Sequence, residues 1–73
     1  MTKELCIILN DEIVVYYNLN DIENITYHIA KDIYSESDIK GNGISSNDVV
    51  IVILFKDNTE STFVATKCEM KFL

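Results

Sequence analysis

Seven successive apolar residues, Val49-Val50-Ile51-Val52-Ile53-Leu54-Phe55, make the strongest pattern in this chain, and five of them are β-branched. Side chains of a strand point alternately to its two faces, so an apolar run without polar interruptions predicts a strand buried on both. Val49, Ile51, Ile53 and Phe55 fall on one face, and Val50, Val52 and Leu54 on the other. One helix covers one face of a sheet. The expected cover for the second face is another copy of the chain.

Residues 5–9 and 13–17 are two further apolar runs, separated by Asn10-Asp11-Glu12, and predict a β-hairpin. Asn20 followed three residues later by Glu23 has the form of a capping box. Ile22, Ile25, Ile29 and Ile33 then recur at helical spacing, with Leu19, Thr26 and Ala30 widening the stripe. An amphipathic helix of about three to four turns follows from that spacing. Tyr27 and Tyr34 would sit together on one flank of it, with their hydroxyls in water. Residues 36–48 form a long loop around Gly41-Asn42-Gly43, and residues 56–59 a turn. Residues 60–73 end in alternation: Thr66, Cys68, Met70 and Phe72 against Lys67, Glu69 and Lys71, as in an edge strand. The expected fold is α+β, a single domain over residues 1–73 in the order β-β-α-β-β. It has one mostly antiparallel four-stranded sheet, with Val49–Phe55 interior and a single helix packed on one face.

Charge narrows the choice of partner. The net charge is −6, and all six positive residues are lysines. Arginine is the preferred residue for phosphate forks and guanine edges, and no basic patch is visible. Direct binding to nucleic acid or to an anionic membrane is therefore not expected. A chain of 73 residues buries only about 60% of its unfolded surface, and oligomerisation is a common remedy. The start Met1-Thr2-Lys3-Glu4 is not purely basic, and the apolar stretch after it is cut short at Asn10. No secretory signal and no bilayer-spanning segment are read from it, so the expected location is cytoplasmic. There Cys6 and Cys68 are reduced small hydrophobes, and the sequon Asn24-Ile25-Thr26 has no meaning. Abundant Ile, Asn, Asp and Lys without Pro, Trp or Arg has the look of an AT-rich coding source such as a low-GC bacterium or its phages.

Candidate chemistry is thin. His28 and Asp32, four apart, could share a metal or act as an acid–base pair on a helix, but no third group is in view. The stretch from Asp38 resembles a calcium loop only at its start, because Lys40 and Val49 occupy ligand positions. Gly41-Asn42-Gly43 precedes a strand, whereas a phosphate cradle precedes a helix. Neither cysteine has a basic neighbour to activate it, and the serines have no base in sequence reach. No catalytic residue, cofactor or metal is expected.

Acidic residues, by contrast, are spread through turns, predicted helix and loop. Small acidic proteins sometimes imitate the charge of nucleic acid and block enzymes that bind it. The expected function is a non-enzymatic, oligomeric interaction protein that inhibits or modulates another protein, such as a nucleic-acid enzyme. An accessory anti-defence protein of a phage or mobile element fits that description. Glu36, Asp38, Asp48, Tyr27 and Tyr34 are the candidate partner-binding residues. The alternative is a protein that sequesters a small nucleotide-like ligand in tyrosine-lined pockets between subunits.

Overall fold

The computed structural model describes residues 3–73; Met1 and Thr2 of the N-terminal stretch lie outside them. The described chain contains six strands and two short α-helices. The strands are β1 (Glu4–Leu9), β2 (Glu12–Asn18), β3 (Ile22–Ile29), β4 (Val49–Phe55), β5 (Glu60–Ala65) and β6 (Cys68–Phe72). They form two antiparallel three-stranded sheets, ordered β2-β1-β6 and β3-β4-β5. The sheets stack through the central strands: Leu5 and Ile7 of β1 share one fully buried core with Ile51 and Ile53 of β4. This is a mostly β fold, not the α+β arrangement of one four-stranded sheet and a single helix that the sequence pattern suggests. No helix among the described residues is long and apolar enough to cross a membrane.

The first hairpin forms as its sequence implies. Asn10 and Asp11 both take positive φ, 50° and 68°, the conformation of a two-residue turn whose twist matches the flanking strands. Asn and Asp tolerate it best among residues with a side chain. Asn10 is also held by the far end of the chain: its N–H donates to the Lys67 carbonyl at 2.8 Å, and its side-chain oxygen accepts the Lys67 N–H at 3.1 Å. A bulge at Val14 interrupts the β1–β2 register, since Ile7 faces Val15 and Ile8 faces Ile13.

The predicted helix is instead β3. A bulge explains how the pattern misleads. Ile22 pairs with Phe55, and the register then slips so that Ile25 pairs with Ile53, Tyr27 with Ile51 and Ile29 with Val49. The extra residue turns a helical three-residue step from Ile22 to Ile25 into a same-face step of a strand. From there the alternation has the strand period of two. The β-branched content of the segment, a penalty in a helix, favours this outcome.

β4 is the centre of its sheet, and its two faces pack against other parts of this same chain. Sheet β2-β1-β6 covers Ile51 and Ile53. The other face is covered by the connector between β3 and β4, which holds α1 (Ala30–Ile33) and α2 (Glu36–Gly41). Ala30 and Ile39 bury Val50, with Tyr34, Ile44, Val52 and Val64 packed around them. A second copy is therefore not needed over β4. The connector is held by local capping. Ser35 accepts the Asp38 N–H at 3.2 Å at the start of α2. At its end the Ile44 N–H donates to the Ile39 carbonyl and the Gly43 N–H to the Lys40 carbonyl, around a Gly43 with φ of 66°. That is a Schellman closure, and the apolar contact between Ile39 and Ile44 completes it.

Residues 60–73 are not one strand. The chain bends at Thr66-Lys67 and passes from one sheet to the other. Ala65 and Cys68, three apart, both enter the inter-sheet core. Within β6 the alternation holds as far as Lys71, with Cys68 buried, Met70 half-buried and Glu69 and Lys71 exposed, but Phe72 on the apolar side is 63% exposed.

Candidate functional site

The acidic candidates lie in one part of the fold. Glu36 and Asp38 occupy the first turn of α2, and Asp32 lies in α1. All three are exposed on the connector. Asp48 closes the connector: its carboxylate accepts the Ser45 N–H at 2.9 Å, and its carbonyl accepts the Ala30 N–H at 2.8 Å. Asp48 thus has a structural task beside its charge. The same hydrogen bonds fix where Asp32, Glu36 and Asp38 stand relative to the sheet.

The tyrosines do not join them as one flank. Tyr34 is half-buried against Ala30, Ile39 and Val50, on the outer face of β3-β4-β5. Tyr27 pairs with Ile51 and so belongs to the inner face of that sheet, at its exposed margin. Tyr16 is on the other sheet, and Tyr17 is in the inter-sheet core beside Phe55 and Phe63. The helical spacing that would have aligned Tyr27 with Tyr34 does not exist in a strand.

The charge of the molecule is divided between its two layers. Sheet β2-β1-β6 with its turns and the adjoining Lys3 carries Lys3, Lys67 and Lys71 against Glu4, Asp11, Glu12 and Glu69, a net of −1 out of −6. The remaining −5 belongs to β3-β4-β5, its turns and the connector. Lys67 is paired with Asp11 at 2.8 Å and Glu69 at 3.2 Å, which raises its pKa above the ordinary lysine value. Asp57, in the β4–β5 turn, is held below the usual carboxylate range by hydrogen bonds from the Thr59 hydroxyl and N–H. A shallow recess beside it is lined by Asp21, Phe55, Lys56 and Asp57.

One surface was not singled out by sequence reasoning. On the outer face of β2-β1-β6, Ile13, Val14 and Tyr16 are 57, 49 and 50% exposed. They flank a floor made by Cys6 and Ile8, only 2 and 8% exposed. The signal was present in the sequence: β2 is apolar at both parities, from Ile13 to Tyr17. Only Val15 and Tyr17 pack against the inter-sheet core.

His28 pairs with Val50 on β3, and Asp32 lies in α1, so the two do not share one helix face. Asp21 lies at the opposite end of β3 from His28. Among the described residues no three His, Cys, Asp or Glu side chains gather as a metal-binding group. Cys6 and Cys68 are free and buried. Cys6 pairs with Lys71 on the outer face, whereas Cys68 reaches the inter-sheet core, so the pleat points the thiols apart. Burial pushes the Cys68 thiol pKa up, and its sulfur donates to the Val49 carbonyl at 3.6 Å. No protein-family model matches the chain, and no curated protein and no solved structure is significantly similar to it.

Proposed function

We propose that this chain is a small, non-enzymatic interaction protein of the cytoplasm that binds another protein through the acidic face of its α1–α2 connector. The observation that carries the reading is the placement of Asp32, Glu36 and Asp38 on one capped connector, which with Asp48, Lys31 and Lys40 has a net charge of −2, in the layer that holds −5 of the net charge. Such a face raises the encounter rate with a basic surface and selects against acidic ones. Its natural counterpart is a protein whose own site is basic, as in an enzyme that handles nucleic acid, and occupancy of that site would inhibit it.

The test neutralises Asp32→Asn, Glu36→Gln and Asp38→Asn together and leaves Asp48, which holds the loop. Wild-type and triple-variant protein serve as baits in native host extract at low and high salt, read by quantitative mass spectrometry. A protein retained by the wild type, released by salt and lost by the triple variant supports the reading. Equal recovery on both baits, with both folded, overturns it.

A further inference from the structure

We infer that the outer face of the β2-β1-β6 sheet is a self-association surface, on which a second copy of this chain docks face to face about a two-fold axis. The registers supply the geometry. Val15, Ile7 and Met70 form one row across the three strands. One step to one side lies the outward row Tyr16, Cys6 and Lys71; one step to the other lies Ile13, Ile8 and Glu69. Val14, the bulged residue, adds to the second row beside Ile13.

An axis in the interface plane, running along the Val15–Ile7–Met70 row, lays each outward row over the opposite row of the second copy. Tyr16 then meets Ile13 and Val14, and Lys71 meets Glu69, whose Oε1 also pairs with Lys67 at 3.2 Å, over a floor of Cys6 and Ile8 that each copy already buries. The surface is complementary to itself in shape class and in charge, as an isologous contact requires. A different acidic or basic partner would leave one of Glu69 and Lys71 facing a like charge. Overall charge favours the same occupant. Two copies of a −6 chain repel one another, and this layer carries only −1 of that charge. The acidic connector stays on the far side of each copy. The contact therefore stands apart from the partner-binding reading above, and neither depends on the other.

Size sets the strength. Three strands about 4.8 Å apart and five residues at about 3.4 Å each give a face of roughly 15 by 17 Å. That is about 250 Å² per copy, below the range of stable specific interfaces, so the contact is a weak and transient one, with dissociation in the upper micromolar range.

Sedimentation velocity on the purified chain, from about 1 to 500 μM, tests the inference. A monomer–dimer equilibrium is expected, with Tyr16→Lys monomeric throughout and still folded by circular dichroism. Lys71→Glu and Glu69→Lys each place like charges opposite one another and should weaken the dimer about fivefold or more. Mixing the two single variants restores both attractive pairs and should recover wild-type affinity. A wild-type monomer at all concentrations overturns the inference. So does a dimer that tolerates Tyr16→Lys, or a mixture no tighter than either charge variant alone.

Discussion

Tyr17 donates its hydroxyl to Ser61 Oγ at 3.3 Å, tying an edge strand of one sheet to an edge strand of the other. Its ring lies 5.0 Å from that of Phe55 and 6.4 Å from that of Phe63, tilted at 59° and 58°. This aromatic group closes one end of the inter-sheet core. Truncating it with Tyr17→Ala should cost about 3–5 kcal/mol, the usual range for a packed aromatic side chain. Tyr17→Phe, which removes only the hydroxyl, should cost about 0.5–1.5 kcal/mol. Urea unfolding followed by circular dichroism separates the two; equal losses would mean that the ring contributes nothing beyond its hydroxyl.

Gly43 and Gly41 should respond in opposite directions to alanine. Gly43 has φ of 66° at the Schellman closure, and alanine there should cost about 1–2 kcal/mol. Gly41 ends α2, and a methyl group at its Cα would project into open space, so alanine should be neutral or stabilise by up to about 1 kcal/mol. Melting temperatures of the two variants check this, and a loss at Gly41 equal to that at Gly43 would contradict it.

Stability should fall as pH rises through about 8.5, where an unfolded cysteine is half ionised. The Cys68 thiol, raised by burial, keeps its proton longer in the folded state. Between the two pKa values the unfolded chain holds fewer protons, so rising pH favours unfolding. The exposed Lys67 pair acts in the same direction only at higher pH, because its contribution is lost as pH passes through the raised lysine value. Denaturant midpoints measured from about pH 7 to 10 should decline for the wild type and more shallowly for Cys68→Ala. Parallel curves would remove Cys68 from the explanation.

Residues 22–29 should give strand-type backbone chemical shifts, with cross-strand contacts from Tyr27 to Ile51. Helical shifts there would overturn the architecture. This segment is also where the sequence was least legible. Ile22, Ile25, Ile29 and Ile33 fit a helix because the bulge after Ile22 adds one residue to a strand repeat. The β-branched content leans towards a strand, but the apolar spacing does not separate the two until β4 offers its register. The break at Thr66-Lys67 was hidden in the same way, since a polar pair inside an alternating run gives no sign of a change of sheet. What was legible rested on local chemistry: the Asn10-Asp11 turn and the doubly buried β4. Of the candidate site, the shared place of Glu36 and Asp38 followed from their closeness in the chain. The dispersal of Tyr27 and Tyr34 depended on tertiary pairing. The apolar row of β2 was visible, but which half of it stays uncovered is decided by the opposite sheet.

The two layers present different surfaces, a connector carrying Asp32, Glu36 and Asp38, to which we assign a protein partner, and a nearly charge-balanced sheet face, to which we assign a second copy. A dilution series of amide-resolved NMR spectra on the purified chain tests this separation most directly. The predicted result is a set of concentration-dependent shifts centred on Ile13, Val14, Tyr16, Glu69 and Lys71, with Asp32, Glu36 and Asp38 unchanged. Shifts centred on the connector, or no shifts at any concentration, would contradict it.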